Sequence, residues 1–259
     1  LDIPRFTSPT GAIDFDGSGD YILAPSSADF KMTGDFTMEC WFKPDSVSGV
    51  HVILNGRGSA SSGGPVIYTN GTTLVFDNGT GVVCSESSAV AAGTWYHVAG
   101  TRSGNTWKLY KNGIEGADGT YSTSYSSNVG FMIGQSHHGN EEFDGIISNV
   151  RVVKGSVVYT SNFTLPASPL TSISGTVLLC CQSTTTTTTA SVTPGTITSN
   201  GNPTAASVAS PVALPLKITW PDSITWSGGS APTLAEARAS TGAAQIFNLV
   251  TADGGTTWY

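Results

Sequence analysis

Between Gly93 and Gly113 the chain reads Gly93-Thr-Trp-Tyr-His-Val-Ala-Gly-Thr-Arg102, then Ser103-Gly104-Asn105, then Trp107-Lys-Leu-Tyr-Lys-Asn-Gly113. Each half is rich in aromatic and β-branched residues, and the break is made of turn residues. Two such runs across a tight connection predict a β-hairpin. Trp95 and Ala99 fall on one alternating set, Tyr96 and Val98 on the other. A strand that is apolar on both sets is covered on both faces, so this hairpin is expected near the centre of a sheet.

The flanking chain has the same texture. Ala12–Gly17 and Asp20–Leu23 predict a first hairpin turning at Gly17-Ser-Gly19. In Phe36-Thr-Met-Glu-Cys-Trp-Phe-Lys43, one alternating set is Phe36, Met38, Cys40 and Phe42, the expected core face; Thr37, Glu39, Trp41 and Lys43 form the other. Further strands are expected at His51–Asn55, Pro65–Tyr68, Thr73–Phe76, Val82–Glu86, Gly130–Gly134, Phe143–Val153 and Thr176–Cys181, with Asn-Gly turns at Asn70 and Asn78. Charged residues make up 11%, glycine contributes 31 of 259 residues, and the one helical candidate is Leu234–Ala239. Roughly a dozen short strands punctuated this often predict an all-β sandwich or barrel.

Several function classes lose ground on composition. The formal net charge is −7 and Lys and Arg are scattered, which argues against nucleic-acid binding. No apolar run is long enough to insert a helix into a membrane. None of the four cysteines, Cys40, Cys84, Cys180 and Cys181, has zinc-site spacing. Cys40 reads as core, while the adjacent Cys180 and Cys181 should point to opposite faces. With no disulfide framework, synthesis in a reducing cytosol is expected. A start at Leu1 rather than Met is expected of a piece of something longer.

Five stretches in order carry a resemblance: Phe15-Asp-Gly-Ser-Gly-Asp-Tyr-Ile22, Phe36-Thr-Met-Glu-Cys-Trp41, Gly93-Thr-Trp-Tyr-His-Val-Ala99, Leu109-Tyr-Lys-Asn-Gly113 and Phe143-Asp-Gly-Ile-Ile-Ser-Asn-Val-Arg-Val152. Together they resemble a laminin-G-like domain of the concanavalin A-like lectin/glucanase superfamily. Val157-Val-Tyr-Thr-Ser-Asn-Phe-Thr-Leu-Pro166 resembles the segment that follows in phage-encoded copies. The resemblance implies a two-sheet jelly roll over residues 8–182, after an extended lead-in at 1–7. The fold by itself leaves function open.

Beyond Gln182 the composition shifts. Residues 183–210 contain the Thr184–Thr189 run followed by Ala, Ser, Pro and Gly, and read as a flexible linker with a reach of roughly 30 Å. Residues 211–259 read as a small β module. Leu216–Trp220 and Ser223–Trp226 look like strands around Pro221-Asp222; Gln245–Thr251 and Thr256–Tyr259 look like a hairpin around Asp253-Gly-Gly255. The pattern resembles C-terminal modules of tailed-phage structural proteins. A module this small buries little core alone, so Trp220, Trp226, Phe247, Trp258 and Tyr259 are expected to anchor it on a partner or a symmetry mate.

A glycan-cleaving relative would need two carboxylates roughly 5 to 9 Å apart. The Glu-x-Asp-x-x-Glu pattern is absent, and neighbours such as Glu141 and Glu142 alternate in direction along a strand. No catalytic residue is therefore expected. The most chemically loaded loop is His137-His-Gly-Asn-Glu-Glu142, so His137, His138, Glu141 and Glu142 are ligand candidates, set against a solvated turn. Trp41 and Trp107, with Trp95, are candidates for stacking sugar rings, set against burial in the sandwich. The resemblance implies a structural calcium in some relatives; Asp16 and Asp20 are the weak candidates here, and Ser148 stands where many relatives carry an acid. Sequons at Asn70, Asn78 and Asn162 matter only on a eukaryotic secretory route.

The expected function is a non-enzymatic, virion-surface structural protein of a tailed phage, in a fibre, tip or head decoration. It would be a homo-oligomer that contacts other virion proteins and carries a lectin-like module for host glycans. The alternatives are a secreted carbohydrate-binding or adhesion module and a glycan-cleaving enzyme.

Overall fold

The computed structural model describes residues 10–208, apart from 60, 61, 87, 123, 126–128, 138, 140 and 167. They form two antiparallel sheets packed face to face. The strands are β1 (Thr10–Asp16), β2 (Tyr21–Ser27), β3 (Phe36–Pro44), β4 (Val50–Asn55), β5 (Val66–Asn70), β6 (Thr73–Asp77), β7 (Val82–Glu86) and β8 (Tyr96–Ser103). They continue as β9 (Thr106–Lys111), β10 (Ile114–Thr120), β11 (Val129–Ile133), β12 (Asp144–Lys154), β13 (Thr176–Cys180), β14 (Ala190–Val192), β15 (Thr198–Asn200) and β16 (Thr204–Val208). The first sheet runs β10-β9-β8-β3-β12-β1-β16, with β13 and β14 continuing from the far half of β12. The second runs β15-β2-β11-β4-β5-β6-β7. This is the all-β, two-sheet sandwich expected of a jelly roll.

The hairpin at 93–113 is present: Ser103 pairs with Thr106 across Gly104-Asn105, and β8 lies inside the first sheet between β9 and β3. Both its faces are covered. Tyr96 and Val98 join the core, while His97, Ala99 and Thr101 lie buried on the other side. Gly100 sits under Phe76, and a Cβ there would meet that ring at 2.8 Å. Phe36, Met38, Cys40 and Phe42 are fully buried in the core as the alternation requires. Their set is joined by Trp107, edge-on to Phe36 at 5.4 Å between ring centroids. Burying each such large side chain stabilises by about 1.5–3 kcal/mol.

The stretch from β1 to β2 is not a hairpin. β1 belongs to the first sheet and β2 to the second. Ile13, Phe15, Ile22 and Ala24 all face the shared core, so pairing β1 with β2 in one sheet would strip that core of one layer. Gly17 and Gly19, both at φ 75°, let the chain arch across.

The flexible linker expected at 183–210 is likewise corrected for its described part. β14 pairs with β13, so the Thr run is the loop of a hairpin. β15 extends the second sheet beside β2, and β16 extends the first beside β1. Composition misled because pairing uses backbone groups and threonine suits a pleated surface; one apolar residue, Ile197, plugs into the core. Cys180 and Cys181 do not point to opposite faces. Cys181 is left-handed at φ 59°, and both thiols are buried with their sulfurs 3.6 Å apart. The expectations for Trp220, Trp226, Phe247, Trp258 and Tyr259 lie outside the described residues.

Candidate functional site

The outer face of the first sheet is closed by its own chain. Segment 156–166 lies across it, held by Val158 N–H donating to Thr37 Oγ1 (2.9 Å) and Phe163 N–H donating to the Gly113 carbonyl (2.9 Å). Beneath it is a buried polar cluster centred on Glu39. Arg151 donates to Glu39 Oε1 from Nε (2.8 Å) and Nη2 (2.6 Å). Tyr159 Oη donates to Oε2 (2.8 Å), and His97 Nε2 lies 3.2 Å from the same oxygen. Burial pushes the Glu39 carboxyl up, but the bonds and charges of His97, Arg151 and Tyr159 outweigh it, and the net position is below the ordinary value. Stacked rings of Tyr159 and Phe163, 3.6 Å apart, roof the cluster. Glu39 is thus an ion-paired structural group.

The second sheet bears an open pocket of about 340 Å³. Alternation builds it. On β5, Ile67 and Thr69 point inward while Val66, Tyr68 and Asn70 line the pocket; Val50 and Val52 of β4 and Asp77 at the end of β6 complete the row. Register aligns Tyr68 between Val52 and Val75, and Val66 beside Asp77. Arg57, Glu141 and the Gly79–Gly81 loop form the remaining walls. Asn78 shapes that loop, its Oδ1 accepting from Thr80 N–H (2.8 Å) and Gly81 N–H (3.0 Å). Asp77 Oδ1 accepts from Gly79 N–H at 2.5 Å.

Three charged groups, Asp77, Glu141 and Arg57, lie around the Tyr68 hydroxyl. Burial pushes the phenol up to about 12, and Asp77 and Glu141 add to the rise against the opposing charge of Arg57. The hydroxyl therefore stays protonated and is able to donate a hydrogen bond.

The loop singled out from sequence borders this pocket. Glu141 lines it, and its carbonyl accepts from Val52 N–H (2.9 Å). The His137 side chain is exposed, with Nε2 3.0 Å from the carbonyl oxygen of Arg57. Glu142 turns away, its carboxylate accepting from Gln135 Nε2 (3.2 Å). His138 lies outside the described residues. Trp41 and Trp107 are not available for stacking: Trp107 is a core residue, and Trp41, 3% exposed, packs edge-on to His97 beneath the covered face. Trp95 is half-buried.

The calcium candidates Asp16 and Asp20 lie at the arch between β1 and β2. The Asp20 carboxylate accepts from Asn202 N–H (2.6 Å) and Asp16 N–H (3.2 Å), and Asp16 accepts from Ser18 N–H (2.9 Å). These oxygens hold the arch against the turn between β15 and β16. Among the described residues no group of three or more His, Cys, Asp or Glu side chains is arranged for a metal. Ser148, in the place of an acid, donates to the Gly11 carbonyl (2.7 Å).

Arg57, Tyr68 and Asp77 escaped the sequence reading. Their one signal was the alternation of β5, with Tyr68 flanked by Val66 and Asn70; Arg57 and Asp77 meet it only through the folding of two separate turns.

A two-sheet sandwich with one face closed by its own strap and a pocket open on the other defines the class, and the comparisons place it. Residues 16–158, more than half the chain, match the laminin G-like family model of the concanavalin A-like lectin/glucanases superfamily. The chain belongs to that superfamily. A search of curated proteins finds no match. Among solved structures, a protein from Bacteroides ovatus described as carbohydrate binding is similar at 21% identity and TM-score 0.61, over 80% of this chain and 62% of that one. The chain therefore spans less than two thirds of that protein. Domains LG4-5 of the mouse laminin alpha1 chain align at 20% identity and TM-score 0.44, over 56% and 41% of the two chains. Domain 4 of an arabinanase from Geobacillus stearothermophilus, solved in complex with arabinotriose, aligns at 18% identity and TM-score 0.42, over 56% and 82%.

Proposed function

We propose that this jelly roll is a non-catalytic carbohydrate-binding module whose site is the pocket on the second sheet. The observation that carries the reading is the pocket's make-up: a valine floor for the C–H face of a sugar ring, rimmed by a tyrosine hydroxyl, a guanidinium and carboxylates for its hydroxyls. The Bacteroides ovatus structure supports it at the level of fold. Catalysis is not part of the reading, because Glu39 is spent on Arg151 and Asp77 Oδ1 accepts from Gly79 N–H. Screening the chain on a glycan array tests it, with Tyr68→Ala as the control. Binding that Tyr68→Ala abolishes is the expected outcome; an array blank for the intact chain, or reducing sugar released from a bound glycan, overturns the reading.

The finer reading is that the module is displayed on a tailed-phage particle and that residues 211–259 anchor or oligomerise it. Its support is the resemblance of Val157–Pro166 and of the C-terminal pattern, together with four buried, unpaired thiols suited to a reducing cytosol. Light scattering on the chain with and without 211–259 checks it: an oligomer that becomes a monomer is expected, and two monomers count against the anchoring role. A secreted carbohydrate-binding module remains the second reading, favoured by the fold-level likeness to the Bacteroides ovatus protein.

A further inference from the structure

We propose that the pocket selects uncharged sugar rings over acidic ones, and that Glu141 is the group that sets the choice. The inference rests on the carbohydrate-binding reading above. Two carboxylates, Asp77 and Glu141, face one guanidinium, Arg57, around the pocket. The three acids and bases are not equivalent. Asp77 Oδ1 is engaged by Gly79 N–H. Arg57 is turned toward Asn55, with its Nε donating to Oδ1 at 3.4 Å and its backbone N–H donating to the same oxygen at 3.0 Å. Among the described residues, no hydrogen bond or ion pair is found on the Glu141 carboxylate, which is half-buried at the wall.

An ionised carboxylate is an acceptor only, with about four lone-pair sites. The partner that fits it here is a pair of adjacent hydroxyls on a sugar ring, one to each oxygen. The Tyr68 hydroxyl, kept protonated by its surroundings, supplies a donor beside it. A uronate, sialate or sulfated ring brings a second negative charge against Glu141 and Asp77, in a site partly withdrawn from water, where repulsion is strong. The formal net charge of −7 adds a field of the same sign. The volume, about 340 Å³, is at the small end for ligand pockets, so charge on the one ring it grips is not diluted along a chain.

Affinity electrophoresis tests this with the full chain and stated polymers: arabinan, mannan and dextran as neutral probes, polygalacturonate and hyaluronate as acidic ones. Retardation by at least one neutral polymer and by neither acidic polymer is expected. Glu141→Lys should weaken the neutral interaction by at least about tenfold and admit an acidic polymer. Glu141→Gln keeps the shape but turns one acceptor oxygen into an NH2 donor, so it should weaken neutral binding less than Glu141→Lys does and narrow the gap between neutral and acidic polymers. Because no described residue hydrogen-bonds or ion-pairs with this side chain, unchanged circular dichroism and melting should accompany both. Native-chain retardation by polygalacturonate equal to that by the neutral polymers overturns the proposal. So does selectivity unmoved in both variants with neutral binding intact, which leaves the carbohydrate-binding reading standing. No retardation by any polymer takes that reading down as well.

Discussion

Glu39 shows how a residue read as one of an ordinary alternating pair can become the centre of a face. From the sequence it belongs to the set opposite the core; in the fold it is 0% exposed and shares its two oxygens among Arg151, Tyr159 and His97. Glu39→Gln would leave the Arg151 guanidinium buried without its counter-charge. Loss of about 3–5 kcal/mol of stability is expected, read by urea unfolding. The pH dependence has a definite sign. The folded carboxyl sits below its ordinary value, so its stabilisation is complete above the ordinary carboxylate range and is lost as pH falls through the depressed folded value. The Gln variant should therefore lose less stability on acidification than the native chain. Equal acid slopes would show that Glu39 contributes nothing to the acid transition.

At the scale of elements, strands that alternate were legible and strands that merely pair were not. β3, β7, β8 and β9 stand where aromatic and β-branched periodicity puts them. β14, β15 and β16 carry no such signal, because a short edge strand of Thr, Ser and Ala is held by its neighbour's backbone. The same limit hid the arch between β1 and β2: local turn chemistry is identical whether the chain folds back in one sheet or crosses to the other. The pocket was half legible. Glu141 stood out as part of a charged loop, whereas Tyr68 acquires meaning only once register sets it between Val52 and Val75. A test follows from the clamp formed by Asp20 with Asn202. Residues 190–208 should resist limited proteolysis, and Asp20→Ala, which leaves two backbone N–H groups without their acceptor, should cost about 1–3 kcal/mol and make that segment cleavable. Rapid cleavage there in the native chain would refute the clamp.

At the scale of the whole molecule, the sandwich is a sealed body with regard to thiol chemistry. Cys40, Cys84, Cys180 and Cys181 are all buried. Burial pushes the Cys84 thiol up to about 12 and Cys40 well above its ordinary value, so thiolate is scarce as well as hidden. An aromatic disulfide reagent should label none of the four in the native state and all four in denaturant. Its rate of reaction then reports global unfolding; prompt labelling of any one at neutral pH would mean that the sheets part locally.

The pairing of Thr10 with Val208 has a mechanical consequence. The first and last described strands, β1 and β16, lie side by side and antiparallel, so Thr10 and Val208 are cross-strand neighbours, about 5 Å apart. They lie in the sheet opposite the pocket. A tether pulling on both points would draw them apart across the strands, breaking the β1–β16 hydrogen bonds one after another like a zip rather than all together in shear. Under tension this body would give first at that seam, with the pocket's sheet still whole.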